Sequence, residues 1–207
     1  HDGAYEDDAR PWVKRRLRAL MLRYQQRHGD KRIIEKSPMN VLRVGFINAV
    51  FPDGYFVHIY RDGRANLRSQ LERFEVAQPY SLNDSRTARH VLHRMSFVPW
   101  WELPAYLPRA ADGVYRHFLS SRRTWWGLRY PGWKRDRRRL SAPEIAARQW
   151  VTAVRTARQD LARIPDNRWL ELRYEDLIDD PDYWLGRIAQ TCRLDVSEEN
   201  LHRAGAM

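Results

Sequence analysis

The 207-residue chain has a single cysteine, Cys192, so it has neither a disulfide framework nor a cysteine-built zinc site. It has no apolar run approaching the about 20 residues that cross a bilayer, and no internal repeat or low-complexity tract. These absences exclude a disulfide scaffold, a membrane-spanning chain and a repeat protein. One thiol is compatible with a reducing compartment, and we expect a cytoplasmic protein.

Lysine is also scarce, at 4 of the 37 basic residues, so that arginine supplies the other 33. Against 26 acidic residues this gives a formal net charge of +11. Guanidinium groups suit two-point contacts with phosphate and sulfate oxygens. Codon bias produces the same arginine content, however, so the charge predicts an anionic partner without identifying it.

Apolar spacing and capping signals predict an α/β chain whose strands form a largely parallel sheet. The predicted strands are 32–35, 55–60 and 169–173, and the second is expected to be buried on both faces. The predicted helices are about 7–28 with Gly29 as its stop, 41–50, 65–74, 141–164 and 181–192, with a turn at 51–54. Residues 1–207 are interpreted as a single domain carrying a mostly helical insertion, rich in Trp and Arg, at 75–142.

The clearest candidate site is the segment after strand 55–60, where Arg61 stands at the carboxyl end of the strand. Ligands of open parallel sheets bind beyond such strand ends. The start of the next helix offers backbone N–H groups, and Ser69 lies two turns along that helix. Together these groups predict a phosphate site. The alternative is an ordinary strand-to-helix turn at Gly63 with solvated arginines.

A second candidate is Lys36, in the sequence Glu-Lys-Ser-Pro that follows predicted strand 32–35. If this strand neighbours strand 55–60, Lys36 and Arg61 project over the same edge of the sheet. A lysine in that place can contact the charge on a transferred group. A solvated surface lysine is the alternative interpretation.

Four motifs in order resemble those of the sulfotransferases that use 3′-phosphoadenosine 5′-phosphosulfate. They are Glu35–Pro38, Phe51–Asp53, Arg61–Arg64 with Ser69, and Leu172–Leu177 with Asp180 and Pro181. Their order and distances are similar to the carbohydrate and tyrosylprotein branches and their bacterial relatives. Residues 126–132 and the helix around Gln149 and Trp150 are similar to the bacterial members, and the resemblance covers about 31–195.

The resemblance implies a P-loop-like, three-layer parallel sheet flanked by helices, and transfer of a sulfuryl group to a hydroxyl or amine. Arg61 and Ser69 match the pair that binds the 3′-phosphate of the donor, Arg64 belongs to the same motif, and Lys36 matches a lysine near the sulfuryl group. Tyr174–Asp176 match a structural stretch rather than a catalytic one. The acceptor is expected to be a carbohydrate or lipid-linked group near 75–142, and no metal is needed.

The chain departs from the family in three respects, since the glycine-rich loop, the catalytic base and the C-terminal basic segment of the relatives are not found among its residues. Relatives carry a glycine-rich loop, Gly-x-Pro-Arg-Ser-Gly-Thr-Thr, that cradles the 5′-phosphosulfate, and no such loop occurs here. In many relatives the catalytic base follows that loop, and a C-terminal basic segment completes the nucleotide site. The expectation is therefore an internal piece with an incomplete sheet and little or no activity. The stretch 127–134 only imitates a phosphate loop, since Trp and Lys replace its Lys and its Ser or Thr.

Two other classes compete with this reading. A basic nucleic-acid-binding module without enzymatic activity would use the run 135–139 and the nearby tryptophans. A kinase-like phosphotransferase would need a Walker-type loop and a metal-binding Asp, and neither can be placed. The tryptophans of the insertion stack on sugar rings, belong to the core or form an exposed helical lid: Trp100, Trp101, Trp125, Trp126 and Trp133.

Overall fold

A computed structural model of the chain describes residues 1–76 and 127–205. Contacts group the chain into two compact units, one formed by 1–71 with 127–207 and the other by 72–126. Trp100, Trp101, Trp125, Trp126 and most of the predicted insertion lie outside the described residues. None of the helices in the two described ranges is long and apolar enough to cross a membrane.

The described part of the chain is helix-rich and contains a small parallel sheet. The helices are α1 (Pro11–Arg27), α2 (Val44–Val50), α3 (Gly63–Val76), α4 (Trp133–Arg139), α5 (Ala142–Leu161), α6 (Tyr174–Asp179), α7 (Pro181–Thr191) and α8 (Glu198–Gly205). The strands are β1 (Phe56–Tyr60) and β2 (Trp169–Arg173), and short 3-10 turns cover Glu6–Asp8, Pro38–Leu42 and Asp166–Arg168.

The two strands pair in parallel, in a register that runs from Phe56 opposite Trp169 to Tyr60 opposite Arg173. The predicted strands at 55–60 and 169–173 and the parallel character of the sheet are thereby confirmed. The expectation that strand 55–60 is buried on both faces is wrong, because His58 is buried whereas Ile59 is 45% exposed. Only one face of β1 is closely packed.

The predicted strand at 32–35 is wrong. Residues 31–37 form no regular secondary structure and pair with no strand of the described chain, and the neighbour of β1 is β2. Ile34 is 82% exposed, so it does not pack into the core as an apolar residue of a buried strand would. The guanidinium of Arg32 instead donates to the backbone carbonyls of Cys192 and Arg193.

Two predicted helices start or break differently in the structure. The helix predicted at 7–28 begins only at Pro11, because Asp7 and Asp8 form a separate 3-10 turn. It ends at Arg27 with Gly29 in the left-handed region at φ 76°, as the predicted stop requires. The helix predicted at 41–50 is interrupted at Arg43, whose φ of −136° separates a 3-10 turn from α2.

Helix α5 carries the core of the unit and lies where the sequence predicts it. Ser141 and Glu144 form a capping box at its start, with the Ser141 N–H donating to the carboxylate at 2.8 Å. The buried side chains of α5 recur at three- and four-residue spacing. The core cluster comprises Val44, Ala157, Leu161 and Ile164, with Val41, Phe56 and Trp169 packed against it.

Candidate functional site

The carboxyl end of β1 turns into α3 under the indole ring of Trp150 on α5. The Trp150 Nε1–H donates to the backbone carbonyl of Arg61 at 2.9 Å. Its ring lies so close to Gly63 that a Cβ there would stand 3.4 Å from the ring atoms. Trp150 therefore contacts only the backbone of the turn, and the side chain of Arg61 can make other contacts.

Asp62 caps the helix that follows. Its Oδ1 accepts the backbone N–H groups of Arg64 at 2.9 Å and Ala65 at 3.1 Å. The Ala65 hydrogen bond, reinforced by that of Arg64, outweighs desolvation and lowers the pKa of the Asp62 carboxyl, which is ionised at neutral pH. The cap explains why α3 begins at Gly63 rather than at the predicted Ala65.

The Asp62 cap changes the predicted anion site in one respect. The sequence analysis expects backbone amides at the helix start to receive a phosphate. The amides of Arg64 and Ala65 already donate to the Asp62 carboxylate, so this part of the prediction is wrong.

The Arg61 guanidinium lies over the ring of Tyr174, at 5.6 Å from the ring centroid. Tyr174 is the first residue of α6 and follows β2 directly, so the stack spans the carboxyl ends of both strands. Arg61 is exposed, and no carboxylate among the described residues pairs with its guanidinium. This end of the sheet thus presents a positive charge oriented by an aromatic face.

The other predicted site residues fall on two different segments. Arg64 is exposed in the first turn of α3, and Ser69 is half-buried farther along the same helix. Lys36 is exposed in the irregular segment before the 3-10 turn that Ser37 caps. It follows no strand, so its expected place at the end of a neighbouring strand is wrong.

Comparison with known proteins decides the family. Residues 3–103 and 112–198 match the model of the Sulfotransferase family. The chain belongs to the sulfotransferase family. No curated protein and no solved structure matches it.

The acidic stretch after β2 has a structural role in this chain, as the resemblance implies. Glu175 Oε1 accepts the backbone N–H of Asp62 at 3.0 Å, which joins the start of α6 to the end of β1. That hydrogen bond is the main cause that lowers the pKa of Glu175. Arg173 lies 3.8 Å from the second oxygen of Glu175 and 4.0 Å from Asp176, so the stretch is an ion-paired corner.

Sequence reasoning missed a polar network in the middle of the sheet. His58 and Glu171 face each other across the strands, with His58 Nδ1 at 2.9 Å from Glu171 Oε2. The Arg158 guanidinium contacts both oxygens of Glu171 at 2.8–3.0 Å and lies over the Tyr60 ring at 5.0 Å. The sequence signal for this network was one polar residue at the centre of each apolar strand. Because these two residues face each other, they fix the register of the two strands.

The Glu171 network predicts acid-sensitive stability. Burial favours the neutral acid, but the hydrogen bonds from Arg158 and His58 outweigh it and lower the pKa of Glu171 from its ordinary 4.5. A carboxyl whose pKa is lower in the folded state stabilises the fold above 4.5, and that stabilisation is lost as the pH falls further. Glu171→Gln is expected to cost about 1–3 kcal/mol at pH 7 and much less in acid.

Urea unfolding of the parent sulfotransferase and Glu171→Gln at pH 7 and in acid measures this difference. Glu199→Gln removes an exposed carboxylate of α8 and serves as the matched control. Curves for the parent and Glu171→Gln that stay equally far apart at every pH would show that the network does not carry the acid sensitivity.

Proposed function

We propose that the protein transfers a sulfuryl group from 3′-phosphoadenosine 5′-phosphosulfate, and that the β1–α3 turn holds the 3′-phosphate of this donor. The observation that carries the proposal is the exposed Arg61 guanidinium at the carboxyl end of a parallel strand. Its backbone is held by Trp150 and its side chain by the face of Tyr174. A guanidinium held in this way can meet two oxygens of one phosphate.

Ser69 and Arg64 complete the nucleotide site in this proposal. The Ser69 hydroxyl supplies a neutral donor from farther along α3. Arg64 adds a second positive charge beside the turn, where Arg61 and Arg64 offset the negative charges of Asp62 and Glu175. Because Asp62 caps the helix, we place the phosphate on the side-chain face of the turn rather than on the helix axis.

Lys36 is the proposed catalytic residue. Sulfuryl transfer resembles phosphoryl transfer in depending on in-line positioning and on stabilisation of charge at the transferred group. The Lys36 ammonium would stabilise charge on the sulfuryl or bridging oxygens, and its exposure leaves it reachable. The 3′-phosphate, bound remotely by Arg61, would fix the donor in register for the reaction.

The proposed acceptor is a hydroxyl or amine of a carbohydrate or lipid-linked molecule, and the proposed branch is the carbohydrate and tyrosylprotein type with its bacterial relatives. The glycine-rich loop expected to cradle the 5′-phosphosulfate is not among these 207 residues. We therefore propose that this chain by itself transfers little or no sulfate. Ligand binding is for that reason the more informative measurement.

The experiment is calorimetry of the chain with adenosine 3′,5′-bisphosphate and, as the matched ligand, adenosine 5′-monophosphate. The two differ only in the 3′-phosphate that Arg61 and Ser69 are proposed to hold. We expect the bisphosphate to bind at least about tenfold more tightly, since hydrogen bonds to a charged group contribute more than neutral ones. Equal affinities would refute the proposed site.

The nucleic-acid alternative gains less support from the structure. Trp133, at the head of the basic helix α4, is 8% exposed and stacks under the Arg129 guanidinium at 5.3 Å, so it belongs to the core. It is therefore not available for stacking on bases. Arg135 of the same helix contacts Asp136 rather than pointing to solvent alone.

A further inference from the structure

A polar cavity of about 250 Å³ lies beside α5. Its lining includes Tyr130, Arg135, Asp136, Arg148, Thr152 and Thr156. Arg148, Thr152 and Thr156 recur at four-residue spacing on one face of α5. Trp150 is two residues from Arg148, about 200° around the helix, so the cavity and the β1–α3 turn lie on opposite faces of α5.

A buried carboxylate organises the cavity. Asp136 is 4% exposed and accepts from Tyr130 Oη at 3.1 Å, Arg148 at 2.9 Å and Arg135 at 3.3 Å. The Arg148 hydrogen bond lowers the pKa of Asp136 against the effect of burial, while burial and Asp136 itself raise the pKa of Tyr130 to about 12. At neutral pH the carboxylate is therefore charged and the phenol is not.

Asp136 neutralises only one of the two guanidinium groups that line the cavity, which leaves a net charge of +1. Each guanidinium has five N–H donors, and in the described chain Asp136 is the only carboxylate that contacts either of them. Arg148 and Arg135 are 51% and 66% exposed, so their remaining donors are accessible. Thr152 and Thr156 add two hydroxyl groups beside them.

We propose that this cavity binds a small oxyanion, namely a sulfate ion or the sulfate ester of a sugar, between Arg135, Arg148 and the two threonine hydroxyls. A cation would meet the uncompensated positive charge, and an apolar group would leave the hydroxyls and guanidinium donors without partners. The volume is below the about 300–1,000 Å³ of pockets for drug-sized ligands, so one charged group fits better than a nucleotide.

The test is a titration with sodium sulfate, compared with sodium chloride at equal ionic strength, and followed by the backbone amide NMR signals of α4 and α5. We expect saturable, sulfate-specific shifts. Arg135→Gln is expected to weaken sulfate binding about tenfold, and the pair Thr152→Val with Thr156→Val by a similar factor. Arg148 is left unchanged, since its loss would leave Asp136 buried without its main partner.

Arg138→Gln is the matched control, because it removes the same charge from an exposed position on the same helix outside the cavity. It is expected to leave sulfate binding unchanged. Equal losses in Arg135→Gln and Arg138→Gln, or no difference between sulfate and chloride, would overturn the proposal. Neither Arg61 nor Ser69 lines the cavity, so failure of the nucleotide site would leave this result standing.

A parallel titration with glucose 6-sulfate distinguishes the two sources of the oxyanion. Tighter binding of the ester than of sulfate, lost in Arg135→Gln, assigns the cavity to a sulfated sugar. Binding of sulfate alone assigns it to the free ion. Binding of neither compound shows that the cavity is not an oxyanion site.

Discussion

Arg61→Ala is expected to weaken the binding of adenosine 3′,5′-bisphosphate by about ten- to a hundredfold, the range for losing hydrogen bonds to a charged group. The substitution removes the guanidinium and its stack on Tyr174. It keeps the Trp150 hydrogen bond, because that bond goes to the backbone carbonyl of residue 61. The turn should therefore survive, and the change in affinity should report the side chain alone. Calorimetry of both chains gives the result.

Arg187→Ala serves as the control for this measurement, since Arg187 is an exposed arginine on α7 and its removal changes the net charge equally. The Arg61→Ala chain should unfold at the same urea concentration as the parent. If it also binds the bisphosphate with the parent's affinity, the assignment of Arg61 is disproved. Parallel losses in both variants would indicate attraction by net charge rather than a built site.

Leu161→Ala is expected to lower the free energy of unfolding by about 2–5 kcal/mol, the range for removing a buried leucine from a core. Leu161 is 1% exposed and belongs to the cluster that joins α5 to α2 and, through Phe56 and Trp169, to the two strands. The lost side chain would leave a cavity that rigid neighbouring elements cannot close. Urea unfolding at neutral pH measures the loss.

Leu22→Ala, at a 53% exposed position of α1, makes the same chemical change where no core exists. Its expected cost is below about 0.5 kcal/mol, as for most surface substitutions. If the two leucine variants lost equal stability, the cluster around Leu161 would not be the centre of the fold.

Local patterns in the sequence were sufficient for the elements that carry their own signals. The apolar runs gave β1 and β2 nearly to the residue, and Ser141, Pro143 and Glu144 marked the start of α5. Segment 32–35 shows the limit of that reasoning. A short apolar run becomes a strand only if a neighbour accepts its backbone hydrogen bonds, and the sequence does not say which neighbour that is.

The candidate site, too, could be predicted only in part from the sequence. Arg61 at a strand end follows from the order of the elements. The residues that hold it, Trp150 and Tyr174, come from distant parts of the chain, and Trp150 is 89 residues away. Asp62 follows Arg61 in the sequence, but only the backbone geometry shows that its side chain caps α3.

The pairing of β1 with β2 has a consequence for how the protein forms. His58 and Glu171 meet across the sheet although 113 positions separate them along the chain. Bringing the two ends of so long a segment together costs conformational entropy, and this cost arises before contacts between the strands can offset it. During synthesis β1 leaves the ribosome well before its partner, and the edge that bears Arg61 cannot assemble until residue 173 has been added. A polypeptide released before β2 has been added cannot form the pairing of β1 with β2.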